Sequence, residues 1–149
     1  MFRLPVLVLT IAITLATASA RAGGVEAYCP ALKWVLLAPP GGSAVQVIDV
    51  RRGVTPLSTL RSRPRGAVLA VHVQVATRQV WVLADNVLDV HDGFSGRMQG
   101  SWPAPEGVRL DRLELDADGR LTAWSGARPF ETVRGAALLV PAGARVTMR

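Results

Sequence analysis

Apolar and polar residues alternate from Val71 to Val75, with Val71, Val73 and Val75 on one side and His72 and Gln74 on the other. This two-residue period belongs to a strand half-buried on a sheet. The strand is expected to run from Ala67 to Val75, turn through Ala76-Thr77-Arg78-Gln79 and return as Val80-Trp81-Val82-Leu83. The returning run is β-branched and aromatic, which suits a pleated surface. A second hairpin follows the same logic. Leu113-Glu114-Leu115-Asp116 alternates, Ala117-Asp118-Gly119-Arg120 turns, and Leu121-Thr122-Ala123-Trp124 returns. Asp118-Gly119 is a strong hairpin pair, because glycine accepts the positive φ that a tight turn demands.

Other apolar runs fall at Trp34 to Ala38, Val45 to Val50 and Val87 to Val90, with shorter candidates at Gly96 to Trp102, Ala136 to Val140 and Arg145 to Met148. Proline and glycine separate them at Pro39-Pro40-Gly41-Gly42, Pro103-Ala104-Pro105 and Pro141-Ala142-Gly143. Beyond the amino end no helical period is found. The expected fold is all-β, with antiparallel blade-like or sandwich-like sheets.

The amino end reads differently. An apolar stretch from Leu4 to about Ala18 follows Arg3 and leads into Ala18-Ser19-Ala20, a small-x-small cleavage pattern. Residues 1–20 are therefore expected to be a helical signal peptide cut after Ala20, with Ala22 as the alternative position. Residues 21–149 would then form one all-β domain, exported to the periplasm or secreted, with no transmembrane anchor left after cleavage. Cys29 is the only cysteine, which excludes an internal disulfide. Its neighbours Val25-Glu26-Ala27-Tyr28 are wrong for lipid attachment, so an inert or partly buried thiol is expected, with a mixed disulfide as the alternative.

Trp34, Trp81 and Trp124 fall 47 and 43 residues apart, close to the roughly 40 to 45 residues of one propeller blade. Trp34-Val35-Leu36-Leu37-Ala38 and Trp81-Val82-Leu83-Ala84-Asp85 look like copies. Each leads into a second run, Val45-Gln46-Val47-Ile48-Asp49-Val50 or Val87-Leu88-Asp89-Val90. With Gly41-Gly42-Ser43, Ser95-Gly96-Arg97 and Asp116-Ala117-Asp118-Gly119, the stretch from Trp34 to Trp124 resembles blades of secreted YVTN, NHL and PQQ-type β-propellers. The resemblance implies four-stranded blades whose loops on one face bind ligands or partners. The chain has length for at most three blades, and closed propellers typically have four to eight, so an incomplete propeller-like array is expected.

Chemistry is sparse. There are only two histidines, His72 and His91, and no His-Glu-x-x-His, paired-cysteine or glycine-rich phosphate motif. An EF-hand loop starting at Asp116 fails at its fifth and twelfth positions, Arg120 and Ala127. Ser43 and Ser95 lack a nucleophile elbow. His72, among valines, reads as structural. Asp85, Asp89 and Asp92 read first as turn residues and second as a calcium or general-acid site. Trp102 reads as a residue packed at a strand end. No catalytic residue, metal ligand or cofactor is assigned.

Charge carries the remaining signal. The formal charge is +6, almost entirely arginine, with Lys33 the one lysine. Arg61, Arg63 and Arg65 crowd a loop restricted by Pro64, and their planar guanidinium groups suit carboxylate, sulfate or phosphate. The function expected is a non-enzymatic β-repeat binding protein of the cell envelope, its partner a protein or an anionic envelope polymer and not nucleic acid. Self-association is left open. The competing readings are a small exported propeller-type enzyme, lactonase- or quinoprotein-like, using Asp85, Asp89 or Asp92, and a truncated remnant of a larger propeller.

Overall fold

A computed structural model describes residues 24–61, 66–115 and 120–145. The expected signal-peptide helix and its cleavage point at Ala20, Arg63, Arg65, and residues 116–119, which take in all of the expected Ala117-Asp118-Gly119-Arg120 turn but Arg120, lie outside the described residues. The described residues form twelve strands in three consecutive four-stranded antiparallel meanders. The first sheet holds β1 (Val25–Cys29), β2 (Trp34–Ala38), β3 (Ala44–Asp49) and β4 (Ser58–Arg61), with one 3-10 turn at Val50–Arg52. The second holds β5 (Val68–Gln74), β6 (Gln79–Ala84), β7 (Val87–Asp92) and β8 (Met98–Pro103). The third holds β9 (Arg112–Leu115), β10 (Leu121–Ser125), β11 (Arg128–Glu131) and β12 (Val140–Pro141).

The sheets pack face to face in chain order. Val25, Leu36, Val47 and Leu60 of the first meet Val71, Val80 and Val82 of the second. On the other face of the second sheet, Trp81, Leu83 and Leu88 meet Leu113, Ala123 and Phe130 of the third. First strands sit side by side, β1 by β5 and β5 by β9. Adjacent leading strands with trailing strands outward make the array propeller-like.

Burial explains the sequence pattern. The second sheet is covered on both faces, so β6 and β7 are almost continuously buried and read as unbroken apolar runs. The first sheet has one covered face, and β1 alternates strictly between buried and exposed residues.

The expected hairpins form. Gln74 pairs with Gln79 and Leu115 with Leu121 across their turns. Several boundaries differ: Ala67 precedes β5, Gln79 begins β6, Val50 lies beyond β3, and Gly96 and Arg97 precede β8. Val75 lies beyond the end of β5, and from Ala136 to Val140 only Val140 is in a strand. Arg145 is not in a strand, and 146–149 lie outside the described residues. Strands β1, β4 and β11 are additional to the expected set.

Trp34, Trp81 and Trp124 share a strand position but not a register, being the first residue of β2, the third of β6 and the fourth of β10. Each lies in the second strand of its sheet, opposite Cys29, His72 and Arg112 respectively. Trp34 points toward the second sheet and Trp81 toward the third. Ala123 faces back to the second sheet, so the alternation of β10 sends Trp124 the other way, forward like the first two. There the guanidinium of Arg112 covers it, 4.8 Å from the ring centroid. Trp34 seats directly on the neighbouring sheet, edge-on to Phe94 with ring centroids 5.3 Å apart. The bare α-carbon of Gly93 makes that approach possible: a Cβ there would lie 2.4 Å from Trp34 Cζ3.

Candidate functional site

In an up-and-down meander the first start, the second turn and the exit of the last strand share one end of the sheet. The passages between sheets and the β2–β3, β6–β7 and β10–β11 turns therefore gather at a single crossover end. Connections there bond to one another across sheets, as where the Val68 amide donates to the Gly42 carbonyl at 3.0 Å.

A cleft of about 610 Å³ opens at this end between the second and third sheets, lined in part by Gly66, Leu69, Asp85, Asn86, Arg109 and Leu110. Its wall begins with a two-residue turn. Asp85 and Asn86 both have positive φ, 44° and 62°, a pairing that fits the right-handed twist of a hairpin and that Asp and Asn tolerate best among non-glycine residues. Asn86 then locks the passage from β8 to β9. Its Nδ2 donates to the Val108 carbonyl at 2.5 Å, its Oδ1 accepts from the Leu110 amide at 2.8 Å, and its own carbonyl accepts from the Ala104 amide. With the passage pinned, the exposed side chains of Asp85 and Arg109 are left at the rim with no hydrogen bond or ion pair among the described residues.

Arg61 ends β4, exposed, at the start of the passage that arrives at Gly66 on the cleft. Arg63 and Arg65 belong to that same passage in sequence.

The three aspartates are not brought together. Asp85 is in the turn at the crossover end and Asp92 is at the far end of β7. That strand spans about 16 Å at roughly 3.3 Å per residue. Asp92 is a turn residue as expected, accepting from the amides of Phe94 and Ser95, which hold its carboxyl below the usual range. Asp89 corrects the turn reading: it is 1% exposed in mid-strand and accepts from the Ser101 hydroxyl. Among the described residues no group of three or more His, Cys, Asp and Glu is arranged to hold a metal ion.

His91 lies two residues along the same face of β7 as Asp89, so serine, histidine and aspartate come close together between the first two sheets. They do not form a relay. His91 Nδ1 faces the Gly96 carbonyl at 3.3 Å, its Nε2 has no partner among the described residues, and the ring is fully buried. Burial lowers the pKa of both His91 and His72, keeping the imidazoles neutral. Cys29 is buried and unpaired, and Trp102 stacks on Trp81 with centroids 5.7 Å apart. These groups pack at the sheet interfaces, and none of them lines the crossover cleft.

Sequence reading missed Asn86 and Arg109. The Asp85-Asn86 pair between apolar runs was the available signal for a tight turn, but its reach to Val108 and Leu110 spans 22 and 24 residues and leaves no local mark. No family model matches the chain, and no curated protein matches it. The fold alone defines its class, an all-β protein of three consecutive four-stranded sheets in a propeller-like array. Among the described residues no helix is long and apolar enough to cross a membrane.

Proposed function

We propose that this is an exported, non-enzymatic β-repeat protein of the cell envelope that binds an anionic polymer, or an acidic face of a protein, with its crossover end. The observation that carries the reading is the cleft between the second and third sheets. It is held open by the Asn86 clamp, rimmed by Arg109 and reached by the passage that leaves from Arg61. Arginine in a loop on a rigid sheet scaffold gives planar, bidentate recognition of carboxylate or sulfate with little reorganisation. Asp85 on the same rim disfavours a simple polyanion across the whole cleft and favours a ligand that also offers hydroxyl or amine donors. The apolar leader ending at Ala18-Ser19-Ala20 supports the envelope location.

Titration of the protein with an acidic polysaccharide, read by calorimetry, tests the reading. Binding should weaken several-fold in Arg61→Ala and Arg109→Ala variants and more in the Arg61/Arg63/Arg65 triple alanine variant, with folding unchanged. Equal binding by all of them would sink it.

A further inference from the structure

Among the described residues, most of the large apolar side chains that stand exposed gather at the end of the array opposite the crossovers. Val50 and Val54 lie in the β3–β4 connection, Val75 in the β5–β6 turn and Phe94 in the β7–β8 turn. Tyr28 is one residue from the end of β1, whereas Leu138 stands apart from this group, beside Leu139, whose amide bonds to the Pro103 carbonyl at the crossover end of β8. Val54 is 89% exposed. Exposed apolar residues collected on one surface mark an interaction site far better than the same residues scattered singly.

Cations share these connections. Lys33, Arg51, Arg52, Arg78 and Arg97 are exposed at the turns of the first two sheets. The described carboxylates beside them are already engaged. Asp49 is 2% exposed and held by Arg51 at 2.7 Å, and Asp92 is occupied by two backbone amides. Arg78 lies over the Phe94 ring, 5.1 Å from its centroid, so cation and apolar surface form one unit. In sequence, the β9–β10 turn brings Asp116 and Asp118, which lie outside the described residues, so the basic surface belongs to the first two sheets.

The apolar tips stand on separate connections, which suits them poorly to the continuous groove that a partner's helix or strand requires. A bilayer interface requires no groove. Its headgroup layer admits separate apolar side chains, while Lys and Arg extend to the phosphates and add affinity on anionic membranes. We propose that the protein docks on anionic phospholipid bilayers by this end, with Val50, Val54 and Phe94 entering the headgroup layer and Lys33, Arg78 and Arg97 meeting phosphates. The docking is independent of ligand binding at the crossover end, which would then face away from the membrane.

Flotation of the full chain with vesicles of phosphatidylglycerol and phosphatidylcholine, against vesicles of phosphatidylcholine alone, tests this. Binding is expected on the anionic vesicles and should decline as salt rises. Val54→Asp, at a solvent-exposed loop position, should weaken it at least about fivefold, and the double Arg78→Gln/Arg97→Gln variant about 30-fold from two lost cations. Arg61→Gln, at the other end, should leave it unchanged. Equal binding to both vesicle types, or anionic binding that neither loop variant weakens, would overturn the proposal, since attachment would then run through another segment such as residues 1–20. Arg61→Gln weakening vesicle binding as strongly as the loop variants would overturn it too. So would a soluble polyanion bound as tightly as the vesicles, with Val54→Asp inert.

Discussion

Gly93→Ala is a small change at a place where no space exists. The added methyl would sit 2.4 Å from Trp34 Cζ3, 2.7 Å from Cη2 and 2.9 Å from the Arg78 carbonyl oxygen. Trp34 is 1% exposed and cannot swing into solvent. Relief must therefore come from moving the β7–β8 turn off the first sheet. That motion would strain the bond from the Ser58 hydroxyl to the Gly93 carbonyl, 2.6 Å, and the one from the Gly93 amide to the Arg78 carbonyl, 3.0 Å. Overpacking of this kind costs about 1–3 kcal/mol. For a chain of this size the equivalent is a fall in Tm of roughly 4–12 °C. Thermal unfolding followed by near-ultraviolet circular dichroism reads it directly. The decisive arm is Trp34→Phe, which deletes the two ring carbons that the methyl would strike. Combined with Gly93→Ala, it should be more stable than the sum of the single effects by at least about 1 kcal/mol. If Gly93→Ala stays within about 0.5 kcal/mol of the parent, or the two changes add, Trp34 does not seat the first sheet on the second as described.

Three other outcomes are expected. His72 and His91 are kept neutral by burial, with pKa values below the ordinary 6.5. Their contribution is intact above about pH 6.5 and declines as pH falls below it, because the unfolded chain takes up protons first. Urea unfolding at pH 7.5 and pH 5 should show the loss, and His91→Gln should reduce it; an unchanged slope refutes this. Trp34→Ala should cost about 3–5 kcal/mol and Trp124→Ala markedly less, because only the former is closed in by a following sheet; equal costs in denaturant would contradict that. Asn86→Ala removes two long-range bonds and strains a residue at positive φ. It should cost about 2–3 kcal/mol, and the Leu110 amide should lose its protection in hydrogen exchange.

The sequence was informative where many buried residues recur with a period. The β5–β6 hairpin, β7 and the β9–β10 hairpin are legible because valine, leucine and tryptophan mark them repeatedly. Strands β4 and β11 are not, since each buries one residue, Leu60 or Phe130, and a single apolar position has no period. Strand β1 does alternate, but over only five residues, two of them the small Ala27 and Cys29, which is too short and weak a pattern to mark a strand. The tryptophan spacing predicted more than composition could: it marked the same strand and the same face in all three sheets. The cleft was much less legible. Arg61 was visible as part of a basic cluster, whereas Arg109 became a rim residue only through the partners of Asn86 more than twenty positions away. The gathering of exposed apolar residues at one end was invisible in sequence, because it depends on which turns the meander brings together.

The middle sheet is the only one of the three with neighbours on both sides, and this sets the order in which the molecule should come apart. In stacked sheets, coupling passes between nearest neighbours, so disruption starting at one outer sheet breaches a single interface and bares one face of the middle sheet, and only loss of both outer sheets frees β6 and β7. Those strands should be the last refuge of backbone protection, and partial unravelling should shed the outer layers first while leaving a valine- and tryptophan-faced slab. Such a slab is adhesive on both sides. Conditions that peel rather than melt the fold should therefore produce aggregates templated by the centre of the chain.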